Sequence, residues 1–264
     1  MSEPVLVVDH LVKEFGTFRA VDDVSFTVDP GRSLAIVGES GSGKTTIART
    51  IVGLERATAG TVMACGRDRS RPARGTDERR SRGREVQIVF QDPYTSLDPR
   101  QSARSAIEEI VALHGAAPAS ERAVRAGELL SLVGLDARQA DALPRDLSGG
   151  QRQRVAIARA LAAEPRLLIL DESVAALDVS IQAQVLNLLM DIRSATDVSF
   201  VLISHDLAVV RQLTDDTIVV RHGRIVEAGP TARVLDHPEH PYTQMLRASV
   251  PGPGWKLPTR GDSR

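Results

Sequence analysis

Cysteine is all but missing: Cys65 is the only one among 264 residues. This excludes an internal disulfide and any multi-cysteine metal site. Long apolar runs are missing too, and none reaches the ~18 residues that a membrane helix needs. The opening stretch, MSEPVLVVDH, is acidic where a secretory signal would be basic and then apolar. The expectation is a chain that stays in the cytoplasm and takes any membrane role through a partner. Net charge is nearly absent, at -1, so bulk electrostatics do not point to nucleic acid. The stretch from Arg67 to Arg84 is arginine-rich, but it holds no aromatic residue and is interrupted by Asp68, Asp77 and Glu78. It reads as a solvated loop or ragged helix. There is no tandem repeat at the usual periods and no long heptad arm.

What is present is an alternation of strands and helices. Hydrophobic residues make up 42% and charged residues 25%, the balance of an ordinary globular protein. Val5 to Val8 and Val24 to Val28 read as short strands, closed by the turn at Asp29 to Arg32. Leu34 to Val37 is wholly apolar, as in a parallel strand buried on both faces. Thr45 to Leu54 carries Ile47, Ile51 and Leu54 at helical spacing. Val86 to Phe90 is a further strand, and Ser102 to about Leu161 shows only helical patterns. Then come a strand at Leu167 to Leu170, a helix at Ile181 to Ser194, a strand at Phe200 to Ser204, another helix, and a hairpin centred on His222 and Gly223. The tail from Asp236 is short and rich in proline and glycine. This order defines an α/β fold.

Three motifs carry chemistry. Gly38 to Thr45, GESGSGKT, fits G-x-x-x-x-G-K-[ST] between a strand and a helix. Its glycines let backbone N–H groups close on phosphate oxygens, Lys44 reaches the β- and γ-phosphates, and Thr45 offers a hydroxyl to Mg²⁺. Asp171 and Glu172 emerge from the buried strand RLLIL at its C-terminal end, where open α/β sheets bind ligands. Asp171 suits the Mg²⁺ shell. Glu172, whose side chain points elsewhere on an extended chain, can face an attacking water. Ser148 and Gln151 form a capping box that starts a helix at about Gly149. The positive end of that helix is a second anion site, in a chain that already has one.

LSGGQ at Leu147 to Gln151, the phosphate loop, the LLILDE strand and a histidine after the next strand together resemble the ATP-binding subunits of ABC transporters. The likeness runs from about Val5 to Val250. It implies a P-loop NTPase (RecA-like) core with an antiparallel β subdomain and an inserted α-helical subdomain. The ATP-binding domain would span residues 1–235, with the helical insert at about 92–163, and a C-terminal extension would span 236–264. In that family two ATPase domains pair head to tail, and the signature helix of one closes on the nucleotide held by the other. This gives the second glycine loop a purpose. The resemblance implies that Gly38, Glu39, Ser40, Gly41, Ser42, Gly43, Lys44, Thr45 and Thr46 bind ATP with Mg²⁺. Ser148, Gly149, Gly150 and Gln151 would serve the partner's ATP. Phe15 would stack on adenine, with Phe18 as its rival. Gln91 would sense Mg²⁺, His205 would touch the γ-phosphate, and Asp178 would cross the dimer. Catalysis would rest on Glu172, His205 and Gln91, and metal binding on Thr45, Gln91 and Asp171.

One stretch departs from the family pattern. Where relatives read D-E-P-T-S-A-L-D, this chain reads DESVAALD, with Ser173, Val174 and Ala175. Ala175 lacks the hydroxyl of the family's serine, and the resemblance implies the loss of a dimer-interface hydrogen bond worth ~1 kcal/mol, enough to tune turnover and not to abolish it. Two further strings, VFQDPYTSLDPR and HPEHPYTQMLRASVP, resemble the oligopeptide, dipeptide and nickel importers. Such a subunit would sit on the cytoplasmic face of the plasma membrane against two permeases. It would work with a second ATPase subunit, of the same or a different chain, and indirectly with an extracytoplasmic substrate-binding protein, without nucleic acid. His237 and His240 in the tail read as packing rather than as a metal site. The alternative is a non-transport ATPase, since some ATPases of phosphonate breakdown share a similar HPYTQ tail.

Overall fold

The computed structural model describes residues 3–90, 97–114, 118–173 and 179–248. The candidate residues Gln91 and Asp178, with Val174 and Ala175, lie outside the described residues. The chain opens with β1 (Leu6–Phe15) and β2 (Phe18–Val28), then β3 (Ser33–Val37) and helix α1 (Lys44–Ile51). β4 (Ala59–Ala64), β5 (Arg67–Asp68), α2 (Thr76–Glu85) and β6 (Val86–Val89) follow. Next come the helices α3 (Ala103–His114), α4 (Ala119–Leu132), α5 (Ala137–Ala140) and α6 (Gly149–Leu161). The rest runs β7 (Leu167–Asp171), α7 (Val179–Ala195), β8 (Ser199–Ile203), α8 (Leu207–Leu213), β9 (Asp216–Arg221) and β10 (Arg224–Pro230). Two short helices close it, α9 (Thr231–Asp236) and α10 (Pro241–Ala248).

Two sheets result. The first is antiparallel, ordered β2-β1-β4-β5. The second is ordered β10-β9-β3-β8-β7-β6, with β9, β3, β8, β7 and β6 parallel and β10 antiparallel at the edge. Every residue of β3, β7 and β8 is buried. Alternation then decides which core each side chain joins. Ile36, Ile169 and Val201 face α1 and the antiparallel sheet. Ala35, Leu168, Leu170 and Phe200 face the helices α3, α4, α6 and α7. Burial of each large apolar side chain contributes about 1.5–3 kcal/mol, so this double-sided packing fixes the strand order. All parallel strands end at one edge, and Lys44, Thr45, Asp171, Glu172 and His205 are collected there.

Two elements differ from the expectation. β1 and β2 are longer than the Val5–Val8 and Val24–Val28 runs. Register shifts between Val8 and Leu11 and onward to Glu14 interrupt the pairing, and His10 and Asp23 take left-handed φ of 48° and 58°. Each bulge breaks the alternation that marks a strand. The arginine stretch is less solvated than its composition suggests. Arg69 is buried and pairs with Glu85 at 2.9 Å, and Arg82 donates to the Arg71 and Asp68 carbonyls.

Candidate functional site

The phosphate loop is held from three sides. Gly38 and Gly43 adopt φ of 154° and 109°. A Cβ on Gly38 would strike the Val220 carbonyl oxygen, and one on Gly43 the Ala20 carbonyl oxygen. Glycine is therefore required there by close backbone approach as well as by dihedral angle. The Gly223 N–H donates to the Ser42 carbonyl at 2.9 Å, so the β9–β10 hairpin supports the loop from beneath. Lys44, at the start of α1, is buried and donates through Nζ to the Gly38 and Glu39 carbonyls at 2.8 and 2.7 Å. Burial pushes its pKa below the ordinary value, while Glu172, Asp171 and Glu39 pull it back up.

β3 and β7 flank β8, so the residues after them meet above the sheet edge. Thr45 Oγ1 donates to Asp171 Oδ1 at 3.2 Å across 126 residues of sequence. Asp171 is 5% exposed, and burial raises its carboxyl pKa against the opposing Thr45 hydrogen bond. A buried carboxylate beside a hydroxyl is an all-oxygen donor pair. It fits Mg²⁺, which takes one or two protein oxygens and completes its shell with water and phosphate. Glu172 turns out of the strand with φ 47°, while its N–H stays bonded to the Ile203 carbonyl at 2.9 Å. His205, after β8, places Nδ1 3.7 Å from Glu172 Oε1. Lys44, Thr45, Asp171, Glu172 and His205 thus share one edge of the parallel sheet.

The signature residues form a separate group. Ser148 caps α6, its Oγ accepting the Gln151 N–H at 3.3 Å while Gln151 Oε1 accepts the Ser148 N–H at 2.8 Å. Ser148, Gly150 and Gln151 line a pocket with Gly134, Arg154 and Ile181. None of residues 38–46 lines it. The two glycines of the signature differ. A Cβ at Gly149 would meet open space, whereas one at Gly150 would run into Ile181 of α7. Gly150 is thus a packing glycine within its own chain. Phe15 and Phe18 sit opposite each other at the β1–β2 turn, 46% and 63% exposed. Lys13 Nζ lies over the Phe15 ring, 4.5 Å from its centre.

Sequence reasoning missed one residue that touches this site. Tyr242 of α10 is 2% exposed, and its hydroxyl accepts the Glu39 N–H at 3.0 Å. The HPYTQ string drew attention to the tail, but nothing local pairs Tyr242 with a residue 203 positions away. The tail histidine His240 accepts the Tyr242 N–H on Nδ1 at 3.1 Å, a packing role.

The ABC transporter family matches residues 21–175, and the oligopeptide/dipeptide transporter C-terminal region matches residues 226–262. The chain belongs to the ABC transporter family, among its ATP-binding subunits. It is 45% identical to the "Probable peptide ABC transporter ATP-binding protein y4tS" of Sinorhizobium fredii (strain NBRC 101917 / NGR234), over 96% of this chain and 74% of that protein. It is 43% identical to the glutathione import ATP-binding protein GsiA of Escherichia coli (strain K12), over 95% of this chain. The match takes up only 42% of GsiA's length. Among solved structures, the dimeric ATP-binding cassette MJ0796, in a post-hydrolysis state bound to ADP and Pi, superposes with a TM-score of 0.77 at 29% identity. That match covers 86% of this chain and 98% of the other. The P-loop NTPase fold is the one anticipated.

Proposed function

We propose that this chain is the ATP-binding and ATP-hydrolysing subunit of an ABC importer for peptides. The observation that carries the reading is the convergence of Lys44, Thr45, Asp171 and Glu172 at the carboxyl edge of one parallel sheet. The peptide class is supported by the match of the tail to the oligopeptide/dipeptide C-terminal region and by relatives named for peptide and glutathione transport. The same relatives count against a role outside transport. The ATP-binding domain is read as residues 1–235 with a helical insert at about 92–163, and the extension as 236–264. No helix among the described residues is long and apolar enough to cross a membrane. The subunit would accordingly act at the cytoplasmic face through two permeases and a second ATPase subunit, with an extracytoplasmic binding protein feeding the permeases.

In this mechanism the loop N–H groups from Ser40 to Thr45 surround the phosphates, and Lys44 exchanges the Gly38 and Glu39 carbonyls for phosphate oxygens. Thr45 and Asp171, with Gln91, would hold Mg²⁺, which neutralises charge on the β- and γ-phosphates when bound. Glu172 takes a proton from the water that attacks the γ-phosphorus, and the bond to the β-phosphate oxygen breaks to release ADP. His205 contacts the γ-phosphate beside Glu172, and Phe15 stacks on adenine. The capped start of α6, Ser148 to Gln151, closes on ATP held by a second cassette. Asp178 crosses between the two cassettes. Glu172→Gln tests the assignment. Steady-state ATPase is expected to fall at least about 100-fold, the contribution of a positioned general base, with ATP binding retained. Near-normal turnover would overturn the role of Glu172. The trapped variant, purified from membranes in mild detergent, is expected to bring two multi-span permeases with it. Recovery of soluble metabolic enzymes alone would overturn import.

A further inference from the structure

The tail does more than follow the ATP-binding domain. Glu227 of β10 is 8% exposed, and its carboxylate accepts the Glu239 and His240 N–H groups at 2.9 and 3.1 Å. This anchors the chain just before α10. Tyr242, Val234 and Leu235 then join the same apolar core as β3, β7 and β8. Arg221, next to the β9–β10 turn, stacks its guanidinium 4.7 Å from the centre of the Tyr242 ring. A buried ring held by a cation and a core leaves its hydroxyl little freedom. That hydroxyl meets one atom of the phosphate loop, the Glu39 N–H.

The partner on the other side of that peptide gives the contact its meaning. The Glu39 N–H and the Gly38 carbonyl belong to one planar peptide unit, whose two ends cannot turn independently. The Gly38 carbonyl accepts from Lys44 Nζ at 2.8 Å. The loop is pinned a second time at Ser42, whose carbonyl accepts the Gly223 N–H.

We propose that Tyr242 is a positioning residue for the nucleotide-binding loop: its hydroxyl fixes the Gly38–Glu39 peptide, and with it the backbone path that the loop keeps around the phosphates. The inference rests on the reading that this loop binds ATP. Tyr242 touches no reacting atom, so its effect falls on nucleotide affinity and not on the chemical step. By linkage, any partner that displaces α10 weakens ATP binding, and bound ATP holds α10 in place.

The test uses the full-length chain and its Tyr242→Phe variant, which keeps the ring and removes the acceptor. Amide exchange at Glu39, followed by NMR, is expected to quicken by about five- to tenfold, the size of one net hydrogen bond. The Kd for ATP with Mg²⁺, measured by calorimetry, is expected to rise about two- to tenfold on the same basis. KM should follow Kd with kcat unchanged, as for an interaction made equally in ground and transition states. The nucleotide-free melting temperature should move by less than about 4 °C, which separates loop positioning from a general loss of structure. If wild type binds ATP and Tyr242→Phe binds it equally well, the positioning role is overturned while the ATPase reading stands. If wild type binds no ATP, the ATPase reading fails first.

Discussion

Gly150 offers the sharpest test of how the signature helix is built. Its Cβ, if present, would fall well under 3.0 Å from Ile181 Cγ2 and at 3.4 Å from Cδ1. Relaxed carbon atoms sit about 3.5–4.0 Å apart. Gly150→Ala therefore forces α6 and α7 apart or drives Ile181 off its rotamer, at a cost of about 1–3 kcal/mol. Ile181 is only partly buried, so Ile181→Ala alone should cost no more than about 2 kcal/mol, the low end for such truncations. In the double variant the alanine methyl occupies space that Cγ2 has vacated. The two costs should then fall short of their sum by about 1–2 kcal/mol, within the range seen for touching residues. Urea unfolding followed by far-ultraviolet circular dichroism measures all four corners of the cycle. Additivity to within about 0.5 kcal/mol would refute the claim that Gly150 is a glycine because of Ile181. ATPase assays on the same proteins add a second decision. A double variant that regains stability but not turnover would show that the glycine also serves a nucleotide.

Two other perturbations follow from the same geometry. Asp171 is a carboxylate whose folded-state pKa is raised by burial above the ordinary 3.8. Its charge therefore costs folding free energy once the pH exceeds about 4, and costs nothing below that. Asp171→Asn, without nucleotide, is expected to gain melting temperature over wild type by a margin that widens as pH rises from about 4, while losing Mg²⁺-dependent ATP binding. A margin that narrows with rising pH would contradict the sign. Ser148→Ala removes the side-chain half of the capping box and should cost about 1 kcal/mol of stability. Ser148→Asp, another good cap, should recover most of that loss in the same urea titration.

The helix and loop chemistry was legible because it is local. The phosphate loop, the capping box from Ser148 to Gln151 and the hairpin at His222 and Gly223 each depend on residues within a few positions of one another. The structure has each where expected. β3, β7 and β8 were legible for a different reason: a strand buried on both faces is built mostly of apolar residues, with polar ones only at its ends. β1 and β2 were read short because bulges near His10 and Asp23 break the period that marks a strand. The tail read only as a short extension rich in proline and glycine, yet Pro241–Ala248 is a helix, started by a proline that suits a first helical turn. Arg69 looked solvated by composition and is buried against Glu85, since a guanidinium can leave water when its partner goes with it.

The chemistry of this protein was already written in the order of its residues. A glycine-rich loop ending in Lys44 and Thr45, a strand ending in Asp171 and Glu172, and a capped signature helix leave few alternatives to nucleotide hydrolysis. How those parts are held depended on the folded chain. It brought Thr45 to Asp171 across 126 residues, Tyr242 to Glu39 across 203, and Ile181 against Gly150. Such partners are selected by which buried faces the sheets and helices bring together, and a hydrogen bond or close contact between distant residues leaves no periodic trace along the chain.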